Sequence, residues 1–400
     1  MRLTRRAIVR LAGAALAPAS LGPTSSGRVT AAQTPDAAPG ESSPNETLLS
    51  MLQFIPLSLV EENYRQGYEL ATFGDAALRL ASVGLEISDL AASTENFRDV
   101  AQATLPVPHG SLAQASFRVE DSLSLFGWTI TDIHQSVYAM TSEGLVHVMR
   151  GSFDPSALDA VWLANGYQML DVEGHAVASV SAERNFDLST ELGRLTLGSA
   201  NNAGFLEDGT LLYGGSLEAL TAMLQAHDGA VPSLGSYALV ESVVGAIGGP
   251  LSGASLLPGP ALISGPPLVL GEDVDLDLED LPEPGPVPLM ALVGFVSGPA
   301  VPDADLTNTD AEPIPSGSML VAALKFLTAG EAAIAARRAL LELETGISPT
   351  SDVPFTERFV GWRVSHHADS DTMTLEIDLY GNENVWLQMI YNREASFLYS

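Results

Sequence analysis

The densest group of side chains that could perform chemistry is His366-His367-Ala368-Asp369-Ser370-Asp371, which holds two of the seven histidines. Neutral imidazoles and carboxylates bind zinc and copper, so His366, His367 and Asp369 would suit a metal-dependent hydrolase. Adjacent residues of a strand, however, point to opposite faces. Because the segment also lies where a hairpin turn is needed, a solvated turn is the simpler interpretation, and the metal site is the alternative.

A second candidate site is the acidic run over residues 272–280. Asp273, Asp275 and Asp277 alternate with aliphatic residues and could supply oxygen ligands to calcium. The helix-loop-helix calcium pattern is not met, since no glycine follows the third acid and no glutamate arrives at the loop end. A solvated edge strand, which its like charges keep from pairing with neighbours, is the simpler interpretation.

The usual catalytic strings are absent from the chain. It contains no G-x-S-x-G, no H-E-x-x-H and no G-x-x-x-x-G-K. The absence of cysteine excludes thiol catalysis, disulfides and cysteine-ligated metals. His147 shares one face of a predicted strand with Leu145 and Met149 and is interpreted as a core or interface histidine rather than a catalytic base. No organic cofactor is predicted. A divalent cation is the only bound group that the two candidate sites suggest.

Residues 4–10 read Thr-Arg-Arg-Ala-Ile-Val-Arg and precede a short, mildly apolar stretch and the small residues Ala31 and Ala32. This beginning resembles the twin-arginine (Tat) signal peptide. The resemblance implies export, after folding, to the periplasm, the cell envelope or the extracellular space. The apolar stretch is too short and too interrupted by proline to cross a bilayer, so no membrane span is expected after removal of the signal.

Charge narrows the range of partners. The chain has 18 Lys plus Arg and 49 Asp plus Glu, a net charge of −31. Residues 1–32 contain five arginines and no acid, so their removal would take the net charge to −36. Residues 195–324 contain no Lys or Arg. Such a chain is a poor candidate for nucleic-acid binding, and it repels anionic partners and other copies of itself. A small molecule or an envelope component is the ligand class left open.

Turn and capping signals divide the chain into short elements. Strands are predicted at 68–73, 145–153, 289–296, 319–326, 359–365, 372–380 and 385–391, and a hairpin is predicted over 203–213 around Asp208-Gly209. Helices are predicted after the capping residues Asp75, Thr129, Asp154, Ser216 and Thr328.

Together these elements predict an α+β protein of two similar lobes. Each lobe is expected to hold a mainly antiparallel sheet with helices on one face, built from strand-helix-hairpin units. The strand-helix-hairpin order over 145–213 recurs over 319–391, which indicates an internal duplication. The expected organisation is a signal peptide (1–32), a disordered linker (33–46), an N-terminal lobe (47–247), a Gly/Pro-rich and acidic inter-lobe region (248–317) and a C-terminal lobe (318–400).

The sequence therefore favours an exported acidic protein that acts as a non-enzymatic binding or structural module. A cleft between two similar lobes would be its natural ligand site. The hydrolase that would use His366, His367 and Asp369 is the competing interpretation.

Overall fold

The structure is a computed structural model. It describes residues 44–82, 86–88, 119–183, 185, 187–259, 261, 286–296, 315–347, 353–380 and 398. The predicted signal peptide, most of the predicted linker, the acidic run over 272–280 and the predicted strand 385–391 lie outside these ranges. No helix within them combines the length and the apolar character that crossing a bilayer requires.

The described strands form one open antiparallel sheet of twelve strands, in the order β11-β12-β10-β9-β8-β1-β2-β3-β7-β6-β5-β4. The strand bounds are β1 Ala71–Asp75, β2 Ile133–Thr141, β3 Gly144–Gly151, β4 Gln168–Val172, β5 His175–Ser179, β6 Asn202–Phe205, β7 Thr210–Gly214, β8 Gly253–Pro258, β9 Met290–Val296, β10 Pro315–Lys325, β11 Phe359–His367 and β12 Thr372–Tyr380.

Helices connect the strands and cover the sheet. Their bounds are α1 Glu46–Leu52, α2 Leu57–Gln66, α3 Ala76–Ser82, α4 Val119–Phe126, α5 Pro155–Ala164, α6 Glu191–Thr196, α7 Leu217–His227, α8 Ala238–Gly245, α9 Ala329–Thr345 and α10 Phe355–Arg358.

Local capping explains where several helices begin, as the sequence predicts. The Asp154 carboxylate accepts a hydrogen bond from the Ser156 amide at 2.9 Å, and Pro155 occupies the first position of α5. Ser216 caps α7 in the same way. Thr328 and Glu331 form the predicted reciprocal capping box at the start of α9.

One predicted helix is wrong. The capping box of Thr129 and Asp132 exists, but it closes a single 3-10 turn, Ile130–Asp132, after which the chain enters β2. Ile133 and Val137 match helical spacing, yet the run from 133 to 141 also suits a strand, because Val137 and Ala139 alternate onto one buried face. Pairing with β1 and β3 on both sides favours the strand.

The α+β class is confirmed, but the prediction of one sheet per lobe with helices on one face is corrected. All twelve strands share one sheet, because β8 pairs with β1 and β9 inside the Gly/Pro-rich region that suggested a break. The strand predicted at 289–296 is confirmed as β9. Every residue of β9 except the last is buried, which is typical of a strand with helices on both faces.

Three apolar clusters form the core. The first cluster lies on one face of the sheet, under α1, α2, α7 and α8. The second lies on the opposite face under α9, and the third lies on that same face under α4, α5 and α6. The second and third clusters occupy the two ends of their face, and the central strands β8, β1 and β2 lie between them.

Candidate functional site

A row of directly opposed residues crosses the central strands on the face between the second and third clusters. Ser255 of β8 is paired with Thr72 of β1, Thr72 with Tyr138 of β2, Tyr138 with His147 of β3, and His147 with Tyr213 of β7. Residues opposed in an antiparallel sheet point to the same face. These five residues, which we call the transverse row, therefore form one continuous band on one face of the sheet.

The row changes from accessible to buried along its length. Ser255, Thr72 and Tyr138 are half-buried, whereas His147 is 1% exposed and Tyr213 is fully buried. The Thr72 hydroxyl donates a hydrogen bond to Glu69 Oε1 at 2.7 Å. The accessible end therefore offers two aliphatic hydroxyls, one carboxylate and one phenol.

The buried end of the row joins an aromatic cluster. The Tyr213 hydroxyl accepts a hydrogen bond from Trp128 Nε1 at 3.0 Å, and the Trp128 ring stacks on Phe126 with centroids 5.0 Å apart. Tyr167 donates its hydroxyl hydrogen to the Ala200 carbonyl oxygen. Burial raises the pKa of both Tyr213 and Tyr167, so the two phenols stay neutral at ordinary pH.

The rings of Tyr138 and His147 connect the two ends. Their centroids are 6.2 Å apart and their planes are tilted by 43°, which is within the usual range for interacting rings. The sequence indicates His147 as a core histidine on the face of Met149, and the structure confirms its burial there.

The chemistry of the accessible end suits binding of a polar ligand that carries no negative charge. Serine and threonine hydroxyls both donate and accept hydrogen bonds, and a tyrosine ring offers an apolar face for stacking. The Glu69 carboxylate beside Thr72 disfavours anions at the same place.

The sequence indicated His147 only as a core or interface histidine and gave no sign of Ser255, Thr72 and Tyr138. They lie on strands separated by long stretches of chain, so no local spacing links them. The available signal was a polar residue between buried apolar neighbours, as Thr72 stands between Ala71 and Phe73 and Ser255 between Ala254 and Leu256.

The histidine pair lies far along the sheet from this row. His366 and His367 are the last residues of β11, where they are paired with Met373 and Thr372. They point to opposite faces, as the strand argument requires, and His367 Nε2 lies 3.0 Å from Thr374 Oγ1. His366 and Asp369 are both exposed, and Asp369 belongs to the turn between β11 and β12.

Within the described ranges, no three His, Asp or Glu side chains come together as a metal site. Asp371, at the end of the same turn, accepts a hydrogen bond from Lys325 Nζ at 3.2 Å. Asp273, Asp275 and Asp277 lie outside the described residues. Both the metal-dependent hydrolase and the calcium site therefore stay predictions.

Comparisons with protein-family models, with curated proteins and with solved structures find no match for this chain.

Proposed function

We propose that this chain is an exported, non-enzymatic binding module of the cell envelope or the extracellular space, and that its ligand binds at the accessible end of the transverse row. The observation that carries the proposal is the continuous register of Ser255, Thr72, Tyr138, His147 and Tyr213 across five strands. Three of these residues, Ser255, Thr72 and Tyr138, are partly exposed between the two apolar clusters of that face.

The ligand that fits is small, polar and either neutral or cationic. The net charge of −31 repels anions over the whole surface, and Glu69 does so beside Thr72. Hydroxyls and an aromatic ring are typical of sites for polyhydroxylated molecules, which need many hydrogen bonds and one apolar face.

We also infer that the sheet arose by duplication. Outward from the β1–β8 pair, one side runs β1-β2-β3-β7 and the other runs β8-β9-β10-β12. On each side a three-strand meander leads into a helix, α5 or α9, and the last strand returns beside the third. The first side carries the additional hairpin β4–β5. The antiparallel pairing of β1 with β8 is what a two-fold relation would give, and the accessible end of the row lies on that axis.

Export is supported by the twin-arginine resemblance of residues 4–10. Replacing Arg5 and Arg6 together with lysine should retain the protein in the cytoplasm of its native cell, whereas the same change at Arg2 and Arg10 should not. Cell fractionation and immunoblotting measure the difference. Export of the Arg5/Arg6 variant at the wild-type level would contradict the assignment.

The binding proposal is tested by native purification. The chain is isolated from its own envelope fraction, and the small molecules that co-purify are identified by mass spectrometry. The triple variant Thr72→Val, Tyr138→Phe and Ser255→Ala should lose the ligand. Tyr68→Phe, at a tyrosine that is 59% exposed and outside the row, should keep it. Equal recovery from both variants, with both folded by circular dichroism, would exclude the row as the site.

A further inference from the structure

Helix α9 presents a second ordered pattern on the side that faces away from the sheet. Its buried face is formed by small and aliphatic residues, namely Ala332, Ala336, Ala339 and Leu343. The opposite face carries Ile334, Arg337, Leu341 and Glu344, all of them exposed. Two large apolar side chains stand open to solvent there, Ile334 at 42% and Leu341 at 60% exposure.

The spacing of this exposed set is that of a helix-pairing seam. Positions 334, 337, 341 and 344 are separated by three, four and three residues, which is the heptad spacing that keeps one stripe facing a partner helix. We call these four residues the α9 stripe. A single exposed leucine is ordinary on a protein surface, but here two large apolar residues and two opposite charges share one stripe of this period.

We propose that the α9 stripe is a homodimer interface in which α9 packs antiparallel against α9 of a second copy. Charge selects this occupant and this direction. A parallel pair would oppose Arg337 to its own symmetry mate. In an antiparallel pair whose two-fold axis passes at residue 339, Arg337 lies beside Leu341 of the second copy. Glu344 of the second copy then lies about 4.5 Å further along the helix axis, within reach of the Arg337 guanidinium.

In this two-fold dimer each contact between the two helices occurs twice. Two Arg337–Glu344 ion pairs flank two leucines, and Ile334 packs against the aliphatic part of Glu344. Two-fold dimers with isologous contacts are the commonest homo-oligomers. Arg337 is one of only 18 Lys and Arg residues in the chain, so at the stripe its charge offsets part of the like-charge repulsion between two acidic molecules.

The expected dimer is weak. A 17-residue helix is about 25 Å long, and its contact is smaller than the roughly 800 Å² per partner of a standard interface. Association is therefore expected at concentrations on the order of tens of micromolar, rather than nanomolar.

The test is sedimentation velocity of the full chain, from about 1 to 200 µM at about 0.15 M salt, where the charge is screened beyond roughly 8 Å. The wild type should shift from monomer to dimer over this range. Leu341→Asp should raise the dimer Kd about tenfold or more, because it puts a carboxylate into the centre of the contact. Leu163→Asp, at a leucine of α5 that is 77% exposed, is the matched control and should leave the Kd unchanged.

Charge exchange then tests the register. Arg337→Glu and Glu344→Arg should each weaken the dimer, and the double variant Arg337→Glu/Glu344→Arg should restore it, since the exchanged charges again meet across the axis. The two residues are seven apart on one helix, so they do not pair within a monomer. A chain that stays monomeric at 200 µM, a dimer insensitive to Leu341→Asp, or a double variant weaker than either single one would overturn the proposal.

Discussion

Replacing Tyr213 with phenylalanine removes one oxygen atom from the buried end of the transverse row. The ring stays, so the apolar packing is almost unchanged. What is lost is the acceptor for Trp128 Nε1, 3.0 Å away. Trp128 is 1% exposed and Tyr213 is 0% exposed, so water cannot replace the missing oxygen without a rearrangement of the core.

The magnitude follows from that burial. Leaving a buried donor without an acceptor costs about 1–3 kcal/mol. We expect Tyr213→Phe to lower the free energy of unfolding by that amount. Tyr68→Phe, at a residue 59% exposed, is the matched control and should change it by less than about 0.5 kcal/mol. Denaturation in urea, followed by circular dichroism, measures both as a shift of the midpoint at unchanged slope.

A double-mutant cycle isolates the hydrogen bond. Trp128→Phe alone leaves the Tyr213 hydroxyl without its donor, whereas Trp128→Phe with Tyr213→Phe removes both partners. The pair should therefore cost less than the sum of the single changes, by at least about 0.5 kcal/mol. Equal effects of Tyr213→Phe and Tyr68→Phe, or additive single changes, would show that this hydrogen bond does not stabilise the fold.

Further predictions concern alkaline stability, a glycine and a cap. Burial raises the pKa of Tyr167 and Tyr213, so the folded chain keeps two protons that the unfolded chain releases near pH 10. The free energy of unfolding should therefore be unchanged below pH 10. Above pH 10 it should fall by about 1.4 kcal/mol per pH unit for each tyrosine. Circular dichroism against pH checks this, and normal phenol titration without unfolding would contradict it. Gly151→Ala should cost about 1–3 kcal/mol, because its Cβ would lie 1.8 Å from a backbone oxygen, whereas Gly204→Ala meets open space and should be neutral in the same urea assay. Thr328→Ala should cost about 1 kcal/mol by removing the cap of α9, and an unchanged midpoint would show that the cap is dispensable.

Elements with local signals could be predicted from the sequence. Strand β3, the hairpin of β6 and β7 around Asp208-Gly209, and the helices capped by Asp154 and Ser216 all lie where turn and cap chemistry indicates. In each case the informative residues lie within a few positions of one another. The α+β class follows from these elements alone.

What could not be predicted depends on pairing between distant segments. Gly253–Pro258 becomes a central strand because its partner Ala71–Asp75, about 180 residues earlier, offers a free edge. No local pattern records this, and the glycines and prolines around 253 favoured a linker. The transverse row could not be predicted for the same reason, since its residues come together only through the pairing register of five strands. The helix predicted after Thr129 failed because short apolar runs suit both periods.

The pairing of β1 with β8 also means that β1 is synthesised long before its partner strand. The outer edge of β1 is complete when residue 75 is made, but its partner β8 is complete only at residue 258. At about 5–20 residues per second, that edge stays open for roughly 10–40 s on the ribosome. An open strand edge is a template for aggregation. Strand β1 has only five residues, ends in a carboxylate, Asp75, and includes Gly74, which are features that make a poor template. The short β1 strand therefore limits wrong strand pairing and aggregation of the nascent chain before β8 is synthesised.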